Sequence, residues 1–102
     1  MTNDELNSKI YRLQGWEELP WPAQPCWQKP GMQLFNPPQF ATDPRAALEL
    51  VEEMKGDAVG ICYDKTEWVA SYFNGGDYST CEADTFCRAI CMAWIAWKEA
   101  TE

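Results

Sequence analysis

The sequence predicts an α+β domain: a three-stranded antiparallel meander packed with about three α-helices, similar to an α/β/α sandwich. Three observations lead to this. Three segments, near residues 4–14, 43–55 and 84–98, carry helix-starting residues ahead of apolar stripes at helical spacing. Asn74-Gly75-Gly76-Asp77 separates two runs rich in β-branched and aromatic residues, which is a strong hairpin signal. Residues 16–41 hold six prolines and several aromatics and suit neither a helix nor an inner strand.

The first helix is expected from about Asp4 to Gln14. Thr2 with Glu5 has the spacing of a capping box, and Gly15 stands where a left-handed C-cap belongs. Leu6, Ile10 and Leu13 make a narrow stripe, so this helix should lie on a surface without being enclosed. Residues 16–41 are expected to be one long Pro/Trp-rich loop. Its aromatics (Trp16, Trp21, Trp27, Phe35, Phe40) fit either a lid over the sheet or a binding surface, since Trp anchors are enriched at interfaces. Residues 42–98 are expected to form a helix–meander–helix core, and residues 1–102 one domain.

In that core, the second helix begins at Thr42 or Asp43, with Pro44 in the first turn. Ala47, Leu50, Val51 and Met54 form its buried stripe, Glu49, Glu52 and Glu53 point away, and Gly56 ends it. Strands are expected over 58–63, with Val59, Ile61 and Tyr63 on one face, then over 67–73 and from 78 to 81 or 82. Asp64-Lys65 should be the first turn. The last helix should start at Asp84 and run to about Lys98. It is apolar on most sides, so it is either the central core element or, in part, a self-association surface.

Composition narrows the function. The chain is 46% hydrophobic, too rich in core formers to be disordered. No apolar run reaches the ~20 residues of a membrane span, and the polar start is unlike a targeting signal, so a cytoplasmic protein is expected. Sixteen carboxylates against eight scattered Lys and Arg give a net charge of −8. That argues against direct nucleic-acid binding and suits a basic protein surface. Histidine is absent, which removes the commonest general base and metal ligand.

The cysteines (Cys26, Cys62, Cys81, Cys87, Cys91) are odd in number and lack CxxC spacing, so reduced, metal-free thiols are expected. Gly75-Gly76 does not precede a helix, and so is not a phosphate loop. Glu17-Glu18 and Glu52-Glu53 read as solvated faces. No catalytic constellation emerges, so a non-enzymatic protein without cofactors is expected.

Several local motifs carry a family likeness. FNPPQFATDPRAALELVEEM is similar to the Phe…Thr-Asp…Ala-Ala…Val-Glu helix of the small phage ABA-sandwich domain proteins. EADTFCRAICMAW is similar to their Ala-Asp-Thr…Ala-Ile-Cys…Ala ending, and Gly15-Trp16 fits the exit of their first helix. The resemblance covers about residues 4–98 and departs at Phe86-Cys87, where a helix-starting proline would stand. It implies a phage or prophage accessory protein acting in a bacterial cytoplasm, and brings no catalytic residues with it.

Together with the charge, this gives the expected function: binding and inhibiting a host protein, for example an antiviral effector such as a CRISPR complex. A sponge for a nucleotide signal and a self-associating structural phage protein are the alternatives. The partner surface is expected at Trp21, Trp27, Phe35, Glu49, Glu52 and Glu53. A homodimer through the final helix is a further possibility, and neither nucleic acid nor membrane is expected as a partner.

Overall fold

The first helix, α1 (Asn3–Leu13), is fixed at both ends by local chemistry. The Thr2 hydroxyl accepts the Glu5 amide at 3.1 Å and lies 3.2 Å from the Glu5 carboxylate, to which it donates. At the other end, the Gly15 amide bonds the Arg12 carbonyl and the Trp16 amide bonds that of Tyr11. This pair is a Schellman motif, and Gly15 adopts the positive φ of 93° that it requires. The structure is a computed structural model, and it describes residues 1–19, 26–35, 37–74 and 76–101.

Leu6, Asn7, Ile10 and Tyr11 form the buried face of α1. Asn7 is the polar member and is satisfied. Its carbonyl oxygen accepts the Ala41 amide at 2.9 Å, and its amide donates to Gln39 at 3.1 Å. Tyr11 donates its hydroxyl to the Pro38 carbonyl. These bonds tie α1 to the segment leading into the second helix.

Residues 16–41 depart from the expected loop. They form a small antiparallel sheet of β1 (Glu17–Leu19), β2 (Cys26–Lys29) and β3 (Met32–Phe35), with β2 in the middle. The reason lies in where the prolines stand. Pro20, Pro22 and Pro25 separate β1 from β2, Pro30 is in the next turn, and Pro37 and Pro38 follow β3. No proline among the described residues occupies a ladder position, so its missing N–H breaks no pairing. Pro30-Gly31, with Gly31 at a φ of 82°, joins Lys29 to its partner Met32 in the Pro-Gly order of a type II turn.

Trp16, Trp27 and Phe40 of this segment serve the core. Trp27 is only 2% exposed. Its ring lies 4.9 Å from that of Tyr11, which is 5.8 Å from Phe40. Trp16 is buried as well.

The second helix, α2 (Pro44–Glu53), is capped by Asp43, which accepts the Arg45 amide at 3.0 Å. Ala46, Ala47, Leu50 and Met54 are buried. The chain leaves α2 through a single 3-10 turn, Lys55–Asp57, where Lys55 takes the positive φ of 56° and Gly56 does not.

The meander follows as expected: β4 (Ala58–Asp64), β5 (Glu67–Asn74) and β6 (Asp77–Ala83), antiparallel and in that order. Asn74 faces Asp77 across the second hairpin; Gly75 lies outside the described residues. The first hairpin turns on Lys65-Thr66, one residue later than expected, with Lys65 at a φ of 58° and Asp64 paired to Glu67. A register shift between Ala58 and Gly60 breaks the alternation of β4. Ala58 and Ile61 pack on the core while Val59 is 51% exposed, so Val59 does not share a face with Ile61.

The last helix, α3 (Phe86–Thr101), starts after Asp84. Thr85 caps it, its hydroxyl accepting the Arg88 amide at 3.2 Å, and Asp84 instead sits 3.1 Å from Arg88 Nε as an ion pair. α3 contacts β5 and β6 on one side and α1 and α2 on others. Cys87, Ala89, Ile90, Cys91, Ala93, Trp94 and Ile95 are all buried. Most of the apolar surface of this helix is thus covered within the chain, and Met92, Ala96 and Trp97 are half-buried. No helix among the described residues is long and apolar enough to cross a membrane.

Two tests follow from this core. Trp27→Ala should lower unfolding free energy by about 3–5 kcal/mol, the usual cost of removing a buried aromatic, as read by urea titration. Alkaline pH should also destabilise the fold. Burial, then the field of Cys87, pushes the Cys91 thiol from 9.0 up to about 12. Burial, then Cys91 and Asp4, raises Tyr11 from 10.0 to about 12. The folded state keeps protons that the unfolded chain releases, so this stability is complete below about pH 9 and lost as pH rises toward 12. Urea midpoints measured across that range should fall, and Cys91→Ala should make the fall shallower.

Candidate partner-binding surface

Of the residues first expected to bind a partner, only some are described, and those do not form one exposed patch. Trp21 lies outside the described residues, and Phe35 is described only as backbone paired with Cys26. Trp27 is core. Glu49 and Glu52 are exposed on α2. Glu53 is engaged: one carboxylate oxygen accepts the Trp94 indole N–H at 3.1 Å and the other accepts from Gln14 at 3.0 Å. Glu53 is therefore a clamp between helices, and Glu49, one turn before it, lies on the same side of α2.

A different surface is better formed. α3 covers the face of the meander that carries Trp68, Ala70 and Tyr72. The opposite face is open. An antiparallel sheet with one face in water normally alternates apolar-in and polar-out. Here Val69 and Phe73 of β5 and Tyr78 of β6 occupy outward positions, each apolar or aromatic. Phe73 is 41% and Tyr78 59% exposed, and their rings meet edge to face at 5.8 Å.

The same strands carry Asp64, Glu67, Asp77 and Glu82 and no Lys or Arg. Glu67 and Glu82 lie close enough to share a hydrogen bond. That bond, then the charge of Glu82, raises the Glu67 carboxyl above its ordinary value. The ion pairs Lys9–Glu99 and Arg12–Glu18 lie on other elements, and Arg88–Asp84 stands at the end of β6, near Glu67.

Beyond the β4 edge lies an apolar groove of about 100 Å³ between the meander and α2. Leu48, Val51, Met54, Gly60, Ile61 and Ile90 help to line it, and Leu48 is 49% exposed. Glu52, one helical turn after Leu48, shares its side of α2. The three strands span roughly 24 Å by 14 Å, or roughly 350 Å². That is under half of the roughly 800 Å² each partner gives a standard interface, so a stable complex must also use the groove and the exposed edge of α2.

Two sequence signals point to this face. The run EWVASYFN is apolar on both faces of a strand, and Lys65 is the only basic residue between Lys55 and Arg88.

Among the described residues no three Cys, Asp or Glu side chains converge as metal ligands. The five cysteines are unpaired. Cys26, Cys87 and Cys91 are buried, Cys81 is partly buried and Cys62 is exposed on the open face. Burial raises Cys81, Cys87 and Cys91, which keeps those thiols protonated near neutrality. A colorimetric thiol assay at pH 8 should show one fast-reacting group per native chain, absent in Cys62→Ser, and five after denaturation. Comparison with protein-family models, with curated proteins and with solved structures finds no match for this chain.

Proposed function

We propose that this chain is a non-enzymatic binding protein that docks the open face of its meander on a basic protein surface and blocks it. One observation carries the reading. Three strands without a basic residue present an exposed Phe73–Tyr78 pair on the face that also carries Asp64, Glu67 and Glu82. The two features act on different steps. Carboxylates steer the encounter with a positive surface and raise the association rate. Desolvated aromatics slow dissociation, as interface anchors do.

The motifs that resemble phage ABA-sandwich proteins supply the biological setting of this proposal. A phage accessory protein acting in the bacterial cytoplasm would meet host antiviral effectors, and those that handle nucleic acid, CRISPR complexes among them, carry basic channels. An acidic product of this size is suited to occupy such a channel in place of nucleic acid.

The test is capture from a bacterial lysate with tagged wild-type chain and with a Phe73→Ala, Tyr78→Ala variant whose melting temperature is checked first. Wild type should retain a nucleic-acid-handling protein at near-equal stoichiometry, and the variant should lose it. Equal retention by both, or no retained protein, overturns the reading. A nucleotide that co-purifies with the chain alone would favour a small-molecule sponge instead.

A further inference from the structure

We propose that the edge of β4 takes an extended, basic segment of the partner as a fourth strand, with one aliphatic side chain seated in the groove beside α2. This rests on the docking reading above and adds which part of the partner is held, and where.

β4 pairs with β5 alone, so the backbone groups along its other side are not used by the sheet. Such an edge is a template for another strand. The register shift that protects it is confined to Ala58–Gly60, and the pairing from Gly60 to Asp64 is regular. β6 is the other edge, but the groove opens beside β4. At about 100 Å³ the groove has room for one aliphatic side chain and falls well short of the roughly 300 Å³ at which small-molecule pockets begin.

Gly60 stands at the register shift of β4, where a glycine eases the bulge and leaves the edge free of a side chain. Its φ lies outside the left-handed region, and a Cβ built on it would meet no atom within 4 Å. Gly60 also lines the groove at the start of the regular stretch of β4.

Charge selects the occupant. Glu52 shares a side of α2 with Leu48, Asp64 closes β4, and the three strands lack basic residues. A segment alternating Lys or Arg with aliphatic residues meets both requirements. A second copy of this chain, at −8, does not.

The probe is a fluorescein-labelled, end-blocked heptapeptide of alternating lysine and valine with leucine at its centre, followed by anisotropy against the full chain. It should bind, and Leu48→Gln, on the rim of the groove, should weaken it about fivefold or more. That variant should keep its melting temperature, because Leu48 is half exposed. The same peptide N-methylated on alternate residues keeps its charge and apolarity but cannot bond the edge, and should not bind. No binding by the parent peptide, equal binding by the N-methylated one, or unchanged affinity in Leu48→Gln each overturns the proposal. The docking reading fails separately, through the Phe73→Ala, Tyr78→Ala variant in partner capture.

Discussion

Trp94 is fully buried at the middle of α3, and its indole N–H is bonded by Glu53 at the end of α2. Much of the fold answers to the need to cover this helix. A helix apolar on nearly every side must be enclosed on nearly every side, and its tryptophan N–H groups must still find acceptors. The meander encloses one side, and α1 and α2 enclose others. Trp97 repeats the arrangement one turn on, donating to Asp57 at 2.8 Å in the turn that feeds β4. These two bonds fix where α2 ends and where the meander begins. They also draw the helices to one face of the sheet, which leaves the other face, with Phe73 and Tyr78, open to solvent.

The features that could be read in the sequence are those whose physics is local. The caps at Thr2, Gly15 and Asp43 and the hairpin at Asn74–Asp77 depend on residues a few positions apart, and each forms as expected. The features that escaped depend on partners far along the chain. Three pairing segments between prolines look like loop until β2 is given β1 and β3 as neighbours. Val59 looks buried until the register shift with β5 turns it outward. At the end of α2 the obvious glycine, Gly56, is passed over, and Lys55 takes the left-handed conformation.

The candidate site divides the same way. An acidic surface was legible from charge alone, but its location was not. Trp27 has the composition of an exposed anchor, and only Tyr11 from α1 makes it core. Glu53 has the spacing of a solvated residue, and only Trp94, 41 positions away, makes it a clamp. Phe73 and Tyr78 were legible as strand residues. Which face they occupy matters only because α3 covers the other one.

The pairing of Glu67 with Glu82 bears on what the open face selects. The hydrogen bond between these two carboxylates, and then their mutual repulsion, is why Glu67 holds its proton more tightly than usual in the free protein. A cation placed between them removes that repulsion as well as adding its own attraction, whereas a second acidic chain increases it. In the proposed docking the face would discriminate by charge in both directions, against copies of itself and in favour of basic surfaces. As pH falls and Glu67 takes up a proton, the repulsion and the attraction fade together. Selectivity of this electrostatic kind belongs near neutral pH, while the apolar contact of Phe73 and Tyr78 does not titrate over that range. On the docking proposed above, affinity and selectivity would rest on different residues of one face, and a change in pH or salt would act on the second while leaving the first in place.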